Sequence, residues 1–128
     1  MIPKIKLITI LTDNLPDMLA FYKDVLGFTS DDESGDYIEL NHDGVRFALC
    51  TRKLIHGLTH HEDYLVNPKG QSFELAFWLP QKGDVDDTYD EIVKKGARPI
   101  LAPHDMPWGQ RTAVFADPDG NCHEIYAD

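Results

Sequence analysis

Phe21-Tyr22-Lys23-Asp24-Val25-Leu26-Gly27-Phe28 is the stretch on which the reading of this chain turns. With Met18 just ahead, its apolar residues Phe21, Tyr22, Val25 and Leu26 recur at helical spacing along one face, and Gly27 follows where a left-handed residue ends a helix. Pro16 suits the first helical turn and Asp13 or Asn14 the cap. Ahead of the helix, Ile5 to Leu11 is rich in Ile, Leu and Thr and predicts a buried strand. Behind it, a short strand is expected near Phe28. Tyr37 to Asn41 and Val45 to Thr51 then alternate about His42-Asp43-Gly44, which predicts a hairpin.

The same order recurs downstream. Ser72 to Leu79 predicts a strand with Phe73, Leu75, Phe77 and Leu79 on one face and Glu74, Ala76 and Trp78 on the other. Asp84 is placed to cap a helix whose buried side carries Val85, Tyr89, Ile92 and Val93, and Gly96 ends it as Gly27 ended the first. A strand from Arg98 and a hairpin over Arg111 to Tyr126, turning at Asp117-Pro118-Asp119-Gly120-Asn121, complete the copy. Gly27 and Gly96 lie 69 residues apart, and the turns Asp43-Gly44 and Asp119-Gly120 lie 76 apart. The second copy therefore holds about seven extra residues around Pro103 to Gln110. Strand, helix and three strands, twice, predicts an α+β fold. The expected organisation is a single domain over 1–128, with module one at 4–52, a connecting loop at 53–70 and module two at 71–128.

Composition narrows the partners. The chain has 128 residues, 42% of them hydrophobic and 27% charged, enough apolar material for a globular core. Twelve basic and 22 acidic residues give a net charge of −10. Phosphate backbones and anionic membrane surfaces are repelled by such a surface, whereas a cationic small molecule is not. Cys50 and Cys122 are too few for a disulfide framework and are expected to be reduced thiols of a cytoplasmic protein. Neither an export signal nor an apolar run of ~18 residues is visible.

Phe21 to Phe28, Lys95-Gly96-Ala97, Pro107-Trp108-Gly109-Gln110-Arg111 and Asp117 to Asn121 with Glu124 resemble the vicinal oxygen chelate superfamily. That group holds glyoxalase I, the bleomycin-resistance and fosfomycin-resistance proteins and the extradiol dioxygenases. The resemblance runs from about Ile5 to Tyr126. It implies two βαβββ modules related by pseudo-twofold symmetry, their sheets curling into a cup-shaped mixed sheet, and a homodimer. In metal-using members the ligands come from the first and last strands of each module. Carried onto this sequence, those positions are Glu74 and Glu124 in module two and Leu7 and Ala48 in module one. An aliphatic side chain and a methyl group bind no metal, while a catalytic zinc needs three protein ligands. The expectation is therefore no cofactor. The alternative is a divalent ion, nickel, zinc or manganese, held by Glu74 and Glu124 with His60 or His61 of the loop. His56 is a further candidate, although neighbouring histidines in a polar connection equally suit solvated surface. The two histidine positions that an extradiol dioxygenase would need are empty.

Alternation assigns the faces. Leu75 and Phe77 are expected in the core with Ile8, Ile10, Ile38 and Leu40. Tyr37, Ala48, Cys50, Trp78, Phe115 and Tyr126 are expected to share the cavity with Glu74 and Glu124, joined by Trp108 and Arg111. Arg111 and Arg46 are then the cations expected for the glutamates, and Arg46 should lie opposite Glu39 if the hairpin turns tightly at His42 to Gly44. His123 should point away from Glu124. Two carboxylates in one desolvated cavity would raise one pKa, which makes Glu74 and Glu124 the catalytic candidates. Aromatic walls with acids at the base suit an aromatic or cationic organic ligand. A small-molecule-binding protein of the bleomycin-resistance type is thus expected. The alternative is a metal-dependent lyase or transferase of the glyoxalase I or fosfomycin-resistance type.

Overall fold

The computed structural model describes residues 1–128 as two compact units, Met1–Lys69 and Gly70–Asp128, each with its own sheet. In the first unit, β1 (Leu7–Thr12) leads into α1 (Leu15–Ala20), and β2 (Tyr37–Leu40) and β3 (Arg46–Thr51) form the hairpin. The strand order is β1-β3-β2, with β1 parallel and β2 antiparallel to β3. Pro16 sits in the first turn of α1 as expected, but Asn14 makes no side-chain cap, its amide donating to Asp17 instead. The helix continues as a π-helical turn over Phe21–Val25. The Leu26 N–H bonds to the Phe21 carbonyl and that of Phe28 to the Tyr22 carbonyl, which accommodates an extra residue before Gly27 turns left-handed at φ 87°.

α1 and its extension lie against one face of this sheet. Ile10, Ile38, Leu40, Phe47 and Leu49 are buried there with Leu15, Met18, Phe21 and Tyr22. Tyr22 meets Phe47 edge to face at 5.6 Å. Each such side chain contributes about 1.5–3 kcal/mol on burial. The core face read from alternation is correct, with Ile8 half-buried at its margin.

Two local expectations are corrected. No strand forms near Phe28, where pairing is limited to the Asn41 N–H on the Thr29 carbonyl and the Asn41 amide on the Thr29 hydroxyl. The segment that follows satisfies itself instead: Ser34 bonds Asp32, and Ser30 and Lys23 bond Glu33. Arg46 is not opposite Glu39, because the hairpin register sets Glu39 against Ala48. The ion pair nevertheless forms on the diagonal, at 2.6 Å. The connection that carried no readable pattern contains a helix, α2 (Arg52–Thr59), capped by the Thr51 hydroxyl on the Leu54 N–H, and a 3-10 turn at Glu62–Leu65.

The second unit contains β4 (Ala76–Trp78), α3 (Lys82–Lys94), β5 (Arg98–Asp105), β6 (Arg111–Ala116) and β7 (Cys122–Ala127). Its strand order is β4-β7-β6-β5, with only the β4–β7 pair parallel. β4 is shorter than the expected Ser72 to Leu79, although backbone bonds from Glu124 to Leu75 and from Leu79 to Tyr126 flank it. α3 begins earlier than expected. Gln81 is the cap, and Asp84 sits in the first turn, reaching back to accept the Gln81 N–H at 3.0 Å. The extra residues of this copy go into two irregularities of β5 and the turn at Met106 to Gln110. α3 packs on β5, β6 and β7 with Val85 and Ile92 buried. The chain is thus an α+β fold in which strand, helix and returning strands occur twice.

Candidate ligand-binding site

The second unit's sheet has two distinct faces, set by register. Arg111, Ala113 and Phe115 of β6 lie opposite Ala127, Ile125 and His123 of β7. Arg111 bonds Asp86 of α3, so this is the helix-covered face. Thr112 and Val114 lie opposite Tyr126 and Glu124 on the other face, where β4 adds Ala76 beside Glu124 and Trp78 beside Tyr126. Glu74 precedes Ala76 by two residues, and its charge acts on Glu124. Burial first, and then the Glu74 charge, push the Glu124 carboxyl above the usual carboxylate range. Trp78 is 57% exposed and Tyr126 half-buried. Thr112 was not singled out by sequence. It is 1% exposed, and its hydroxyl has no hydrogen-bond partner.

Trp78, Glu124 and Tyr126 therefore share a face, with the Glu74 charge acting on Glu124, whereas Phe115 and Arg111 lie on the opposite one. Phe115 belongs to the core: it stacks on Phe77 at 6.2 Å and meets the His123 ring at 6.1 Å. Its assignment to the cavity fails because β6 pairs with β7 so that odd residues face odd ones. Arg111 is corrected for the same reason. Its Nε and Nη2 grip the Asp86 carboxylate at 2.7 and 2.8 Å, and Nη1 donates to Asp105 at 2.9 Å. These acids raise the guanidinium pKa, and the guanidinium in turn holds the Asp86 carboxyl below its usual range, so Arg111 ties β6 to α3 and β5 rather than serving the glutamates. Trp108 is 69% exposed in the β5–β6 turn, its indole N–H on Gln110. His123 points away from Glu124, as expected, and its Nδ1 accepts the Leu75 N–H at 3.1 Å.

In the first unit, Tyr37 pairs with Cys50 and Glu39 with Ala48 on the face opposite the α1 core. Ala48 and Cys50 are buried there. Burial pushes the Cys50 thiol up, with Asp36 adding to it. A cavity of about 270 Å³ is lined by Asp31, Asp32, Tyr37, Glu39 and Asn41. The Tyr37 hydroxyl donates to Glu39 at 3.1 Å and the Asn41 amide to Asp31 at 3.1 Å. Burial, followed by the Glu39 contact, raises the Tyr37 hydroxyl. Asp31, Asp32 and Asn41 were missed by sequence. The one available signal was the acidic run Asp31-Asp32-Glu33 ahead of a strand.

The donor set does not fit a catalytic metal. Glu74 and Glu124 are joined on their face by Ala76, Val114 and Tyr126 and not by a third carboxylate or an imidazole, and His123 is on the opposite face. No group of three or more His, Cys, Asp or Glu side chains converges anywhere in the chain. In β1 and β3, Leu7 and Ala48 offer no donor atom. His56 and His60 belong to α2 and its end, and His61 Nδ1 accepts the Asp63 N–H.

The family model described as Glyoxalase/Bleomycin resistance protein/Dioxygenase superfamily matches residues 4–125. A Bacillus subtilis (strain 168) protein described as "Uncharacterized protein YraH" is 32% identical over 127 residues, covering 96% of this chain and 97% of that one. Among solved structures, a glyoxalase/bleomycin resistance protein/dioxygenase from Nocardioides is 26% identical, with a TM-score of 0.87 over 99% of this chain and 84% of that one. A family enzyme from Burkholderia phytofirmans PsJN is 24% identical, with a TM-score of 0.86 and 98% of each chain covered. The latter likeness shows the fold.

Proposed function

The chain belongs to the Glyoxalase/Bleomycin resistance protein/Dioxygenase superfamily, and from that footing we propose that it binds a small organic molecule, aromatic or cationic, without a complete metal site, in the manner of the bleomycin-resistance branch. The observation that carries this reading is the shared face of Glu74, Trp78, Glu124 and Tyr126. An indole and a phenol flank a carboxyl that burial and a second carboxylate have perturbed. Such a face attracts a cation by charge and ring quadrupole together, and offers an aromatic cation stacking area. The net charge of −10 and the acid-lined cavity of the first unit support the same preference. It also argues against nucleic acid or an anionic membrane as partner, and no helix is long and apolar enough to cross a membrane. The two free thiols favour a cytoplasmic setting, and family resemblance favours a homodimer in which residues 1–128 act as one domain.

Quenching of Trp78 and Trp108 fluorescence by a panel of cationic aromatic dyes tests the reading. Saturable quenching that weakens in Glu124→Gln and Trp78→Ala is expected, with dimer mass in light scattering. Absence of saturation across the panel sinks the binding reading. Stoichiometric nickel, zinc or manganese lost on Glu74→Gln or Glu124→Gln would replace it with the metal-dependent lyase or transferase.

A further inference from the structure

His56 and His60 stand one turn apart at the end of α2, their rings edge to face with centroids 6.5 Å apart. Neither ring makes a hydrogen bond or ion pair, so both keep a nitrogen lone pair free to coordinate. His60 also occupies an unusual backbone position. It closes the helix in the left-handed region at φ 56°, and it is the one residue other than glycine with a positive φ. Glycine or asparagine would meet less strain there, so the imidazole occupies a helix end that other residues fit more easily. The last turn of a helix presents unpaired carbonyls and the negative end of the dipole, which favours a cation. Glu62 and Asp63 follow after His61. Finally, Gly57, Leu58, Thr59 and His60 are all exposed, so little tertiary packing holds this helix end.

We propose that His56 and His60 form a two-histidine chelate for one borderline divalent ion, such as zinc, at the C-terminal end of α2, with water completing the coordination. Imidazole pairs four residues apart on a helix suit such ions, and oxygen-preferring magnesium or calcium should not compete. With metal–nitrogen bonds of about 2.0–2.1 Å the ring centres would lie roughly 5 Å apart. Side-chain torsions can close the difference. Because the ion bridges a turn that packing leaves unsupported, binding should stabilise α2 itself. The site uses imidazoles of the first unit alone.

Titration of the full-length protein with zinc(II) against a chromophoric chelator tests this. One ion should bind with micromolar affinity and shift the ring-proton NMR signals of His56 and His60. His56→Gln and His60→Gln should each weaken binding at least tenfold, the double variant should go little further, and Glu74→Gln and Glu124→Gln should leave it unchanged. His60→Gly keeps a residue suited to the left-handed position and removes the imidazole, so it should match or exceed the melting temperature of the unmetallated parent while losing the site. Zinc binding that survives in His56→Gln, that disappears in Glu124→Gln, or that is weaker than millimolar in the parent overturns the proposal.

Discussion

Glu124 of β7 and Ala48 of β3 hold the same place in their respective sheets. Each lies between a parallel partner, Ala76 or Thr9, and an antiparallel partner, Val114 or Glu39. The repeat therefore carries a carboxyl at a position where its earlier copy carries a methyl group. The consequence is an acidic face in one unit without the matching donor in the other, and the carboxyl itself is a measurable probe of that face.

Glu124 has a raised pKa, chiefly from burial and then from Glu74. A folded value above the unfolded one means that the native state binds the proton more tightly. Stability then falls as pH rises from the unfolded value, about 4.3, through the folded one, and the deficit remains at neutral pH. Glu124→Gln should therefore be as stable as the parent or more so at pH 7, and the difference should vanish near pH 3.5. Urea unfolding at the two pH values measures it. A parent that is clearly the more stable at pH 7 would reveal a cation beside the carboxylate.

Arg111→Met should lower the melting temperature by several degrees at pH 7, since it strands Asp86 and Asp105. Asp86 titrates below its ordinary value, so its contribution is present above the unfolded pKa and is lost as pH falls through the folded one. The gap between variant and parent should accordingly narrow in acid. Arg111→Lys should recover little, because one ammonium cannot match a two-nitrogen grip. Thermal denaturation from pH 3 to pH 7 gives both comparisons, and a pH-independent gap would assign the loss to packing alone.

Thr112 buries a hydroxyl without a partner. Thr112→Val keeps the shape and removes the polar atom, so the fold should gain about 1 kcal/mol. Chemical denaturation reads the sign. A loss of similar size would mean that the hydroxyl is bonded in solution.

Phe115 and Trp78 separate core from ligand face. Phe115→Ala should cost about 3–5 kcal/mol of stability. Trp78→Ala, at a ring more than half exposed, should cost well under 1 kcal/mol and weaken dye binding instead. Equal losses of stability from the two substitutions would contradict the assignment of faces.

Much of this was legible in the residues. Gly27 and Gly96 end the two helices, the turns at Gly44 and Gly120 set the hairpins, and the alternation about Glu74 and Trp78 was read correctly, because helix stops, tight turns and period-2 burial are local consequences of side-chain chemistry. α2 was not readable. Leu54, Ile55 and Leu58 do share one face, but three apolar residues among polar ones and histidines are too short a run to separate a helix from a loop. The acidic cavity escaped for a different reason, since Asp31 and Asn41 come from opposite ends of a segment that bends back on itself.

The two helices with their glycine stops, the two hairpins and their repetition along the chain followed from the sequence alone, since each helix stop and turn rests on residues close to one another. Which way Phe115 and Arg111 face did not. A strand's faces are two equivalent choices until a partner strand sets the register, and one residue of offset exchanges every side chain between them. Only the pairing of β6 with β7, and the reach of Asp86 from α3, placed those two residues on the helix-covered face and left Glu124 with Trp78 and Tyr126 on the other side.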